Sequence, residues 1–146
     1  MRRVGLLAAL LALLAGCDTD RGWNIVEDQP EQSKTVNHEI LYDVQLLSAG
    51  YTLQVSYTDE SGGGGEDQAT GGAWTKTFTA RYPDIPELFL IATAVPDPSA
   101  QQPIGAPTVQ CILWVDGNIA DQSQSGVAEC HAKLTDQVLP PTSSSR

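Results

Sequence analysis

From Glu39 onward the chain steps between apolar and polar residues with a period of two, and it never changes to a helical period. Successive side chains of a strand point to opposite faces, so this rhythm predicts half-buried β-strands. Ile40, Tyr42, Val44 and Leu46 alternate with Leu41, Asp43, Gln45 and Leu47. Tyr51, Leu53, Val55 and Tyr57 alternate with Thr52, Gln54, Ser56 and Thr58. Trp74, Phe78, Ala80 and Tyr82 share one face, and Thr75, Thr77, Thr79 and Arg81 the other. Residues 88–95 (LFLIATAV) are apolar on both faces, which places them in the middle of a sheet. Val109, Cys111, Leu113 and Val115 alternate with Gln110, Ile112 and Trp114. Asp116-Gly117 is a hairpin signal, because a two-residue primed turn needs positive φ, and residues 118–122 return from it. Residues 127–133 form the last strand. Glycine- or proline-bearing breaks separate these runs at 49–50, 59–73, 82–86 and 96–107. The expectation is an all-β, antiparallel β-sandwich of about seven strands over residues 38–134, followed by a polar, disordered tail over 135–146.

The chain has 146 residues, which suits one domain with tails. Its net charge of −10 opposes nucleic-acid binding and electrostatic adhesion to anionic headgroups. His38 and His131 are far apart in sequence, each expected at the surface, and neither belongs to a nucleophile motif. No catalytic residue, cofactor or metal site is expected. Asp59, Glu60, Glu66 and Asp67 surround a run of four glycines, but the spacing matches no calcium loop, so a solvated loop is expected at 59–73.

The N-terminus reads as an address. Arg2 and Arg3 precede an apolar run over 4–14. Eleven helical residues rise about 16 Å, roughly half the ~30 Å of a bilayer core, which fits a cleavable signal over 1–16 better than a permanent span. Leu14-Ala15-Gly16-Cys17 resembles the bacterial lipobox. That resemblance implies cleavage before Cys17, diacylglyceryl attachment to its sulfur, and a protein anchored on the extracytoplasmic face of the cell membrane. Losing Arg2 and Arg3 leaves six basic residues against 18 acidic ones, a net −12. Residues 17–37 read as a lipidated, flexible tether. Within it Trp23, Ile25 and Val26 either sit at the membrane interface or pack on the domain edge. Cys111 and Cys130 remain, and in an oxidising compartment a disulfide between them is expected.

Four segments resemble the extracytoplasmic domain of the mycobacterial membrane protein small (MmpS) family. They are Val55-Ser56-Tyr57-Thr58-Asp59, Trp74-Thr75-Lys76-Thr77-Phe78, Cys111 through Val115-Asp116-Gly117, and Ser125-Gly126 through Cys130. The resemblance spans residues 39–130. It implies an immunoglobulin-like fold with a Cys111–Cys130 bond. It also implies a non-enzymatic accessory role beside a large exporter of the resistance-nodulation-division type, which moves lipids or siderophores. The chain departs from the family in its lipid anchor, where members carry a transmembrane helix, and in its longer glycine-rich loop before Trp74.

Trp114 lies in opposite phase to Cys111, so an inward Cys111 turns Trp114 outward as a partner-contact candidate. Trp74 starts a strand and reads as core first and contact residue second. The alternative function is a module that binds a lipid or other apolar envelope molecule between its sheets or on an exposed aromatic patch.

The anchor is directly testable. Mass spectrometry of the mature protein is expected to find a diacylglyceryl-modified Cys17 at the N-terminus, and Cys17→Ser is expected to move the protein from the membrane to the soluble fraction. An unmodified N-terminus on the wild-type protein would remove the anchor.

Overall fold

A computed structural model describes residues 34–100 and 105–140. The signal segment, Cys17 and most of the tether lie outside the described residues. Among the described residues there are eight strands: β1 (Val36–Leu46), β2 (Tyr51–Thr58), β3 (Gly64–Ala69), β4 (Ala73–Tyr82), β5 (Glu87–Pro96), β6 (Val109–Val115), β7 (Asn118–Ser125) and β8 (Val127–Lys133). They form two antiparallel four-stranded sheets, sheet A in the order β4-β1-β6-β7 and sheet B in the order β3-β2-β5-β8. Only β2–β3 and β6–β7 are hairpins; every other connection crosses between the sheets. The all-β sandwich class is as expected, with one strand more.

The extra strand is β3, inside the segment expected to be a loop. It pairs with β2 from Leu53↔Ala69 to Thr58↔Gly64. The glycines are there for contact as well as for turning. At Gly65, paired with Tyr57, a Cβ would lie 2.4 Å from the tyrosine ring. Only a residue without a side chain lets Tyr57 lie across β3. The turn itself is held by Asp59, whose Oδ1 accepts the backbone N–H of Ser61 at 2.8 Å and of Gly63 at 3.0 Å. Hydrogen bonds from the Ser61 hydroxyl and backbone hold this exposed carboxyl below its ordinary range. Asp116 (φ 53°) and Gly117 (φ 75°) form the expected positive-φ turn between β6 and β7.

The phase of each strand decides the interior. His38, Ile40, Tyr42 and Val44 of β1 point inward, as do Leu53 and Val55 of β2, Leu88, Leu90 and Ala92 of β5, and Val109, Cys111 and Leu113 of β6. Side chains thus fill the space between the sheets. The Tyr42 hydroxyl donates to the Thr58 carbonyl at 3.0 Å inside this layer, and burial pushes its phenol well above the ordinary tyrosine range. Phe89, Ile91 and Val95 alternate with the inward residues of β5, so β5 is central and apolar on both faces, as its sequence suggests.

Cys111 of β6 and Cys130 of β8 are bonded and fully buried, so the disulfide ties sheet A to sheet B through the core. Their separation of 19 residues corresponds to roughly 3 kcal/mol of chain-entropy stabilisation. Beyond β8, Leu134 is buried and its N–H donates to the Pro86 carbonyl at 2.9 Å. The expected tail therefore starts against the body: the Thr135 and Pro140 carbonyls both accept side-chain hydrogen bonds from it.

Replacing both bonded cysteines by alanine is expected to lower unfolding stability by about 3 kcal/mol in denaturant titrations followed by circular dichroism. An unchanged midpoint would mean that the bond contributes nothing to this sandwich.

Candidate functional site

Three places gather the chemistry-bearing side chains. The first is the flank where edge strands β3 and β4 lie on opposite sheets. Tyr42, Tyr57, Trp74 and Phe78 form one cluster there, with ring centroids 5.0 Å apart for Tyr57–Trp74 and 5.4 Å for Tyr42–Phe78. Asp67 of β3 organises its rim. One carboxylate oxygen accepts the Tyr57 hydroxyl at 2.9 Å and the Trp74 indole N–H at 3.2 Å. Lys76 donates to the Tyr57 oxygen at 3.1 Å and lies 4.7 Å from the ring centroid. That hydrogen bond holds the ammonium pKa above its ordinary value. Trp74, a contact candidate from sequence, is thus half-buried, stacked on Tyr42, and has its single donor occupied. Its position is that of a bolt between the two sheets.

The second place is the end of the sandwich near the β6–β7 turn. His38, expected at the surface, is only 2% exposed. The sequence held the signal: carrying the inward phase of Val44, Tyr42 and Ile40 back two residues puts His38 inside. Nδ1 meets the Asp116 carboxylate at 2.7 Å and Nε2 meets the Thr135 carbonyl at 2.8 Å. The other Asp116 oxygen accepts the Glu39 backbone N–H at 3.0 Å. The pair resembles two-thirds of a hydrolytic triad, but a main-chain carbonyl stands where a nucleophile belongs, so the arrangement is a clasp. His131 is exposed, as expected.

The third place is the outer face of sheet A. Trp114 points away from Cys111, as its phase requires, and lines an open groove of about 390 Å³ with Glu39, Leu41, Thr77, Thr79 and Gly117. Thr77, Leu41, Trp114 and Ile119 pair in series and form one row across the four strands. The two-residue turn at Asp116-Gly117 sets Ile119 opposite Trp114, and a β-bulge follows. Ala120 is the extra residue between Leu113↔Asp121 and Trp114↔Ile119. Ile119, 50% exposed, lies beside Trp114, and past the bulge Asp121 turns to the other face and accepts the His131 backbone N–H at 2.8 Å. Sequence reasoning found Trp114 and missed Ile119 and Asp121, because a bulge has no period-two signature.

Among the described residues no group of three or more His, Cys, Asp or Glu side chains is arranged to hold a metal ion. A scan against protein-family models finds no match for the chain, and a search of curated proteins finds no significant match.

The two tryptophans are expected to separate in stability measurements. Trp74→Ala opens the aromatic cluster and leaves Asp67 short of a donor, a loss of about 2–4 kcal/mol. Trp114→Ala removes an outer-face side chain and is expected to cost about 1 kcal/mol or less. Equal losses in urea titration would mean that the Trp114 face is part of the core.

Proposed function

We propose that the protein is a lipid-anchored, extracytoplasmic β-sandwich that acts without chemistry of its own, as an accessory to an exporter of the resistance-nodulation-division type. The lipobox-like Leu14-Ala15-Gly16-Cys17 supports the anchor, and the resemblance to the MmpS family supports the exporter. The observation that carries a contact role lies on the outer face of sheet B. There Phe89, Ile91 and Val95 of central strand β5 are partly exposed, with Thr93 between Ile91 and Val95, and Val127 of β8, paired with Thr93, is 47% exposed beside them. A central strand that is apolar on both faces has buried one face in its own core and keeps the other for a partner.

The tether would make this effective. About twenty coil residues have a root-mean-square reach of ~25 Å, which confines the domain near the membrane and raises its local concentration beside a membrane protein. A non-enzymatic reading is consistent with His38 being held on both ring nitrogens. An apolar ligand between the sheets is not favoured, because side chains already fill that layer.

A photo-crosslinking residue at Ile91, introduced into the full-length lipoprotein in its own membrane, is expected to capture a large multi-helix exporter identified by mass spectrometry. The same probe at Leu47, exposed just past the end of β1 in sheet A, is expected not to. Recovery of only the free lipoprotein from both positions would remove the exporter.

A further inference from the structure

We propose that the outer face of sheet A is a platform for an extended, uncharged oligosaccharide. This goes beyond the accessory reading and uses the opposite face of the sandwich.

The row Thr77, Leu41, Trp114 and Ile119 steps across four paired strands. Neighbouring strands lie ~4.8 Å apart, close to the length of one pyranose residue, so a glycan laid across the strands meets a new side chain at each sugar. Trp114 stands near the middle of the row. The electron-rich face of an indole attracts the weakly positive axial C–H groups of a sugar ring, and the broad apolar surface of Leu41 and Ile119 extends that contact. The adjacent row, Thr75, Asp43, Ile112 and Gln122, supplies a hydroxyl, a carboxylate and a carboxamide, also in register. Thr79 and Glu39 pair on the other side and line the groove. Such a mixture of donors and acceptors matches vicinal hydroxyls, which are donors and acceptors at once.

Charge selects among occupants. The outward residues of β1 include Glu39 and Asp43, and the outward cation of β4, Arg81, is engaged with Asp84 at 3.4 Å. Among the described outward residues of sheet A, phosphate, sulfate and lipid headgroups therefore meet two carboxylates and one cation that already faces Asp84. The groove, about 390 Å³, is open and flanked by polar rows. That suits a chain lying on the surface better than an acyl chain, which needs enclosure.

The test is isothermal titration of the full mature lipoprotein in detergent with chitohexaose and cellohexaose, two uncharged, extended β-linked hexasaccharides. Binding in the micromolar-to-millimolar range is expected, with about tenfold or greater weakening by Trp114→Ala. Gln122→Ala, an exposed change that leaves the row intact, is expected to weaken binding severalfold and guards against a folding defect in the tryptophan variant. Three results would overturn the proposal. They are no heat with either sugar at millimolar concentration, binding that neither substitution changes, and Trp114-dependent self-association or binding to anionic vesicles in place of sugar binding. Crosslinking from Ile91 is read separately and is expected to be unchanged by Trp114→Ala, so the two proposals stand or fall apart.

Discussion

The structure depends on one covalent constraint placed inside an apolar layer. Two four-stranded sheets, each with a single wet face, must hold together through a core that is one layer of side chains thick. The Cys111–Cys130 bond joins an inner strand of one sheet to an edge strand of the other at full burial. It acts where the sheets have no main-chain hydrogen bonds to each other. Carboxylates do the same work at the margins: Asp67 receives the Trp74 indole on one flank, and Asp121 receives the His131 amide on the other. Each carboxylate belongs to an edge strand and satisfies a donor from the opposite sheet. A small domain buries a modest share of its surface, so three such links across the gap count for more here than in a larger core.

Much of this was legible in the sequence, because period-two alternation reports directly on the two faces of a strand. It placed Ile40, Tyr42, Val44, Leu53, Val55, Cys111 and Leu113 inside and Trp114 outside. It failed in three ways, each with a physical cause. The strand Gly64–Ala69 has no apolar alternation, because it exists to receive the Tyr57 ring on a bare backbone and to hold out Asp67. His38 looks like a surface residue by type, yet its phase assigns it to the interior, and Asp116 makes burial tolerable. The bulge at Ala120 resets the phase of β7, so Ile119 and Asp121, which a simple count puts on one face, point to opposite faces. The lipid anchor and Cys17 rest on the sequence alone.

The two outer faces differ in chemistry. Sheet B carries an aliphatic and aromatic line along its central strand, with one more exposed valine beside it. Sheet A carries a transverse row around Trp114, flanked by hydroxyls, carboxamides and carboxylates. A dry stripe suits a protein surface, and a mixed row suits a polyhydroxylated chain. The two outer faces thus offer surfaces of different chemistry on one small body.

The clasp at His38 links the two ends of the body, since its ring reaches a carbonyl 97 residues further along. The opening strand thus depends on Thr135, beyond the last strand, and its pairing partners β4 and β6 are themselves distant in the chain. Closing the first strand therefore waits on groups from the far end of the domain. Contacts of such long sequence separation form late, so the sandwich sets as one unit and not strand by strand from its N-terminal end.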